Sequence, residues 1–257
     1  MALVPAFLSH YRKLGVTRFI CLDDVSTDGT RDHLMDQPDV DVWTSPIRFE
    51  AARRGRRWRE ALFERYGYNR WYVNVDSDEL LIYDQCLREP LKALIAVLDE
   101  HDIKRLPAPM LDFYPSADAK SGNGNMPWHT VDNIDRDGYE VEFLKRGISV
   151  KGGPRKRLFN EENELIKYPL IYWDKDCYFG SSIHRPLPYT RNFSPIGACC
   201  CTSSSSRTTE KRSPKPLQIS STIIVRNIIK RSRERSISLA LSNLLQNRRS
   251  DFMVRNN

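Results

Sequence analysis

Apolar positions along this chain switch between helical and strand periodicity, and each switch predicts a boundary between elements. Residues 4–14 carry Phe7, Leu8, Tyr11 and Leu14 at helical spacing, and Gly15 supplies the stop. Residues 18–22 then form a short apolar strand ending in Asp23 and Asp24. The turn Ser26-Thr-Asp-Gly-Thr30 is rich in residues that cap helix N-termini, and it leads into a short helix ending at Met35. Residues 40–43 read as the next strand. Residues 49–66 read as a longer helix, with Phe49, Ala52, Trp58, Leu62 and Tyr66 near one face and arginines from Arg53 to Arg59 on the others. The cluster from Arg53 to Arg59 is a candidate to attract phosphate or anionic membrane lipid, but the stronger expectation for a charge run on a helix is a solvated face. Residues 71–75 make a buried strand running into Asp76-Ser-Asp-Glu79, and residues 90–100 an amphipathic helix with Leu91, Leu94, Ile95 and Leu98 on one side. This order predicts an α/β fold, a mostly parallel sheet flanked by helices.

Beyond Leu106 the pattern loosens. Residues 116–137, rich in Gly, Asn and Asp, are expected to be a long loop. Short strands are expected around residues 141–144, 155–159 and 166–173, and a basic tail follows.

Composition changes the picture in one respect. With 257 residues, 40% hydrophobic and 28% charged, the chain is expected to bury a core and to be neither fibrous nor wholly disordered. No apolar run approaches the roughly 18 residues of a membrane span, and a cytoplasmic location with at most a peripheral membrane contact is expected. The net charge of +7 suggests an anionic partner, yet residues 198–257 hold 12 Lys and Arg against 3 Asp and Glu, leaving 28 against 30 in residues 1–197. The basicity belongs to the tail, and no specific nucleic-acid partner is expected. Cys21, Cys86 and Cys177 stand singly and are expected to be reduced, mostly buried thiols, whereas Cys199, Cys200 and Cys201 are adjacent.

Ligands of open α/β sheets bind at the carboxyl ends of parallel strands. Two strands end there in acids, one in Asp23 and Asp24, the other in Asp76, Asp78 and Glu79. In an extended segment Asp76 and Asp78 project to the same side, and two such carboxylates repel unless a cation lies between them. A hard divalent ion, Mn²⁺ or Mg²⁺, is the expected cation, and it would offset charge on a diphosphate leaving group. A solvated acidic turn is the alternative.

Four blocks then carry a resemblance: Phe7-Leu-Ser-His-Tyr11, Leu14-Gly-Val-Thr-Arg-Phe19, Asp24-Val-Ser-Thr-Asp-Gly-Thr30 and Trp71-Tyr-Val-Asn-Val-Asp-Ser-Asp-Glu-Leu80. Together they resemble the family 2 type glycosyltransferases of the GT-A fold, in particular a bacterial branch with a D-x-D-E motif after a W-x-x-N-V strand. The resemblance covers residues 4–196. It implies transfer of a sugar from a nucleotide-sugar to an acceptor hydroxyl of a glycan, lipid or protein, with a divalent metal and inversion at the anomeric carbon. It further implies donor-binding roles for Asp24, Asp28, Asp76, Asp78 and Arg157, with the metal held by Asp76, Asp78 and His184. Glu79 matches the motif, either at the reaction or as a support of it. Inversion requires a general base. Asp112 is the candidate, in competition with other acids between Asp118 and Glu142; Arg155 and Lys156 are further candidates for contact with diphosphate or acceptor.

The chain departs from the family twice. The family begins with a strand ending in Asn-Glu, and this chain starts too late to contain it; a gap and an exposed edge beside residues 19–22 are the expectations, with an active transferase or an incomplete remnant of one as the two outcomes. The family later has a segment resembling Gly-Ala-Leu-Leu-His-Phe-Lys-Phe, where this chain reads Gly197-Ala-Cys-Cys-Cys-Thr-Ser-Ser-Ser205. Codons for residues 198–205 can be chosen that read Leu-Leu-Leu-His-Phe-Lys-Phe in a shifted frame, and residues 218–228 yield Asn-Ser-Ser-Glu-Tyr at the same offset. Residues from Ala198 onward are therefore read as a frameshifted tail, irregular or helical, separate from a domain of residues 1–197. The alternative is a genuine basic tail with an amphipathic helix over residues 219–245. For the body, the alternatives are a metal-dependent phosphohydrolase and a non-catalytic binding protein.

Overall fold

A computed structural model describes residues 3–114, 133–203 and 220–224. The first helix, α1 (Val4–Lys13), buries Val4, Phe7, Leu8 and Tyr11, the face that the apolar spacing predicts. Strand β1 (Arg18–Asp23) follows, then α2 (Thr30–Met35) and β2 (Val40–Thr44). Helix α3 (Arg56–Tyr66) begins seven residues later than the sequence suggests. Gly55 takes φ +75° at its N-cap, in the left-handed region that only glycine enters at little cost, so the preceding residues turn instead of extending the helix. Strand β3 (Arg70–Asp76) turns through Ser77 and Asp78 into β4 (Glu79–Ile82), and α4 (Leu91–Glu100) leads to β5 (Arg105–Tyr114). The ten residues of β5 occupy the region where the apolar pattern had loosened.

The later elements are β6 (Asn133–Ile134), the hairpin β7 (Tyr139–Leu144) and β8 (Gly147–Gly152), helix α5 (Gly153–Phe159), and β9 (Ile166–Trp173). A small ribbon of β10 (Tyr178–Phe179) and β11 (Pro186–Leu187) precedes β12 (Cys199–Ser203) and β13 (Ser220–Ile224). The strand expected at residues 155–159 is thus helical. Pro154 in its first turn has a backbone suited to that position, and Asn160 closes it in the left-handed conformation. Most of the loop expected at residues 116–137 lies outside the described residues.

The main sheet runs in the order β2, β1, β13, β3, β9, β5, β12, β4, with β6 paired to β5. It is mixed, correcting the expectation of a mostly parallel sheet: β1 pairs parallel with β2 and β5 with β12, while β13, β9 and β4 run against their neighbours. Two of these, β9 and β13, lie in the second half of the chain, beyond the strand–helix alternation on which the parallel expectation rested, and β4 is the short strand that turns back after β3. The sheet curls, because β4 departs from β3 in mid-sheet yet pairs at the far edge with β12.

Both faces are covered. On one, α1 and α4 pack over Phe19, Cys21, Val73 and Val75; on the other, α3 packs over Ile20, Leu22, Tyr72 and Ile171. Successive residues of β1 and β3 enter opposite cores, as the period of two requires.

The tail differs most from expectation. Cys199, Cys200 and Cys201 are buried in β12, and Ala198 is buried with them, so the body does not end at residue 197. None of the six cysteines is in a disulfide; Cys21 and Cys177 are buried and Cys86 is partly buried. The gap expected beside β1 is occupied by β13, which pairs with β1 on one side and β3 on the other. Residues 199–203 and 220–224 are strands, where the tail had been expected to be irregular or helical. The remainder of the helix expected over residues 219–245 lies outside the described residues. Among the described residues no helix is long and apolar enough to cross a membrane.

Candidate active site

Strands β1, β3 and β5 point the same way, since each is separated from the next by a single antiparallel strand. Their carboxyl ends therefore bring Asp23 and Asp24, Asp76, and Asp112 to one edge of the sheet. Strand β9 runs oppositely, so its beginning reaches the same edge and delivers Lys167.

The centre of this edge is an ion cluster. Asp76 Oδ2 accepts a hydrogen bond from Lys167 Nζ at 2.7 Å, and Asp76 Oδ1 accepts one from Arg59 Nη2. Lys167 also donates to Glu79 Oε1. Glu79 Oε2 turns back to accept the Asp76 backbone N–H at 2.9 Å, which fixes the turn between β3 and β4. Arg59 reaches the cluster because Tyr72, Asn74 and Asp76 share the face under α3; its Nε donates to Asn74 Oδ1 at 2.9 Å. Tyr11 of α1 holds the other side of the turn, donating to the Glu79 carbonyl and accepting from the Leu81 N–H.

These contacts set the charges. Burial disfavours the Asp76 carboxylate, but Lys167 and Arg59 outweigh it and lower its pKa. Glu79 is pushed up to about 7 by burial, with Lys167 opposing and Asp76 adding to the shift. Burial and then Asp76 raise the pKa of Asp78. Lys167 is raised, because the attraction of Asp76 and Glu79 exceeds the cost of burying its charge. His184 lies among these groups: burial first and Lys167 second push it down to about 3, against the pull of Asp76.

Asp112 lies two strands away, 1% exposed, with Arg155 of α5 donating to both its oxygens at 2.6 and 2.7 Å. Thr202 of β12 donates a third hydrogen bond at 2.6 Å. In register, Thr202 stands between Asp112 on β5 and Glu79 on β4, so the segment read as a frameshifted tail contributes a side chain to this edge. Asp24 accepts from Arg48 Nη1 at 2.9 Å and from the Phe49 N–H at 3.3 Å, while Asp28 accepts the Thr30 N–H at 3.1 Å. Arg157, half-exposed, is held by Asp135 and Tyr114 and not by the central cluster. A groove of about 370 Å³ between α2 and β2 contains none of these predicted site residues.

Asp76 lies within electrostatic reach of Asp78, Glu79 and His184, but for Asp78 the strand argument fails: Ser77 and Asp78 form a turn, where alternation no longer applies. Lys167, Arg59 and Thr202 were missed. Arg59 was assigned to a solvated face, yet it is 1% exposed. Its spacing gave a signal, since Trp58, Arg59, Leu62 and Phe63 share the buried side of α3. For Lys167 the signal was a single cation at the start of an otherwise apolar strand.

The residues do not fit a divalent metal as they stand. Both Asp76 oxygens accept from cations, both Glu79 oxygens have donors, and the two neighbouring cations disfavour a third positive charge at His184. Among the described residues no three His, Cys, Asp or Glu side chains converge on a common point suited to an ion. Comparison with family models, curated proteins and solved structures yields no match for this chain.

Proposed function

We propose that this chain is a glycosyltransferase domain that transfers a sugar from a nucleotide-sugar to an acceptor hydroxyl, with inversion at the anomeric carbon. The observation that carries the reading is the meeting of the Asp76–Glu79 turn, at the carboxyl end of β3, with His184 from more than a hundred residues later. The acids at the end of β1 lie along the same edge, where a donor spanning several strand ends would be held.

On this reading Asp24 and Asp28 face the nucleoside, and the turn after β3 faces the diphosphate. Arg155 and Lys167 offset the charge that builds on the leaving diphosphate. The acceptor proton needs a base. The Asp112 oxygens are committed to Arg155 and Thr202, whereas Asp78 is held by no other side chain among the described residues and its pKa is raised. Asp78 is the better candidate to take that proton.

The test is thermal unfolding of the full chain with a panel of nucleoside diphosphates. One of them should raise the midpoint, since a ligand bound to the folded state alone stabilises it. Asp76 positions Lys167 and Arg59, so Asp76→Asn, which turns an amide NH₂ towards one of these cations, should abolish the rise while remaining folded. No response to any nucleoside diphosphate would refute the reading.

A further inference from the structure

Lys167 stands where a cation between the acids of the β3–β4 turn was expected. We propose that the chain binds nucleoside diphosphate without a divalent metal, with the Lys167 ammonium as the resident cation of the site. The inference rests on the glycosyltransferase reading and deepens it.

The expectation of a metal came from repulsion between neighbouring carboxylates. That repulsion is relieved by the chain itself, because Lys167 Nζ bonds Asp76 and Glu79 together and Arg59 takes the remaining oxygen of Asp76. An ammonium has three donors and these acids use two, which leaves one N–H for a ligand oxygen. The side chain is 6% exposed, so its charge acts through a poorly solvated surrounding, where it is felt more strongly than in water. Arg59 offers a second observation. Among the described residues its Nη1 is buried without a hydrogen-bond partner, beside Gly55, where an added Cβ would come within 2.8 Å of it. A buried donor left unpaired is costly, and an anionic oxygen relieves that cost. Arg155 stands close enough to Asp78 to interact with it electrostatically, giving a third cation at the same edge. With Lys167 and Arg59 bonded to Asp76 and Glu79, and Arg155 bonded to Asp112, fixed cations already occupy most of the carboxylate oxygens that a divalent ion would need.

Calorimetric titration of the full chain with the responding nucleoside diphosphate, in excess EDTA and in millimolar Mn²⁺, tests this. The dissociation constants should agree within about twofold. A loss of about tenfold or more in EDTA, restored by Mn²⁺, overturns the proposal while leaving the glycosyltransferase reading intact. Absence of binding in both media overturns both. Mn²⁺ electron paramagnetic resonance adds a readout independent of nucleotide. The wild-type chain should leave Mn²⁺ free, and Lys167→Met, which releases two carboxylates, should bind it. Lys167→Arg keeps the charge should the methionine variant not fold; it should still bind nucleoside diphosphate in EDTA. Binding of Mn²⁺ by the wild-type chain, or loss of EDTA-resistant binding in folded Lys167→Arg, counts against Lys167 as the cation.

Discussion

Lys167 Nζ lies 2.7 Å from Asp76 Oδ2, across the pairing of β9 with β3, and the same ammonium bonds Glu79 beyond the turn. One side chain from the second half of the chain thereby closes the acidic motif of the first. Breaking such a buried pair from one side strands the remaining charges, so Lys167→Met should cost about 3 kcal/mol in urea unfolding at neutral pH. Lys167→Arg should cost less. Equal stability of wild type and Lys167→Met would show that the acids do not depend on this ammonium.

Thr202 makes the opening of the tail part of the structure. Its hydroxyl donates to buried Asp112, and Thr202→Val should cost about 1 kcal/mol, read by the same unfolding experiment. Arg155→Leu should cost more, since it removes two hydrogen bonds and leaves a buried carboxylate with Thr202 alone. If Thr202→Val is neutral, residues 199–203 do not occupy the slot between β5 and β4.

The strand β13 supplies the partner of both β1 and β3, with Thr222 opposite Ile20 and Asn74. A proline in the middle of a central strand removes a ladder donor. Thr222→Pro should lower the thermal midpoint and speed amide exchange of residues 19–22, and the two exposed strand edges should promote self-association. Unchanged exchange in β1 would place another segment in that slot.

His184 gives the folded state a dependence on acid. Its folded pKa of about 3 lies below the ordinary 6.5, so the unfolded chain binds the proton first as pH falls. The contribution is fully present above pH 6.5 and is lost on acidification from there towards the folded value of about 3, at up to about 1.4 kcal/mol per pH unit. Glu79 works in the opposite direction, because a carboxyl raised to about 7 costs stability as pH rises from its unfolded value of 4.5. Comparison of wild type with His184→Gln between pH 4 and 7 isolates the histidine: wild type should lose more stability on acidification. Parallel pH profiles would mean that His184 is protonated as readily folded as unfolded.

The first half of the fold was legible because each element there carries its own period. Phe7, Leu8 and Tyr11 predict α1, and the alternation of Phe19 and Cys21 with Ile20 and Leu22 fits a strand covered on both faces. The second half was not, because its strands are placed by partners distant in sequence. Nothing local to Cys199–Ser203 says that β4 and β5 leave a slot of that width, and nothing local to Ser220–Ile224 says that β1 and β3 stand two strand spacings apart. At the site the acids were legible as a motif, whereas their cations, Lys167 and Arg59, come from a strand and a helix whose proximity only the sheet order creates. A charge run was read as solvated where one member turns inward to meet a buried carboxylate.

The central claim is donor turnover at the Asp76–Lys167 edge. The most direct measurement is release of nucleoside diphosphate from a panel of nucleotide-sugars by the full chain, compared with Asp76→Asn. The account predicts release from one donor, increased by an acceptor hydroxyl and lowered about 100-fold or more by the substitution, with no inorganic phosphate formed. Release of inorganic phosphate instead, or equal turnover by Asp76→Asn, would contradict it.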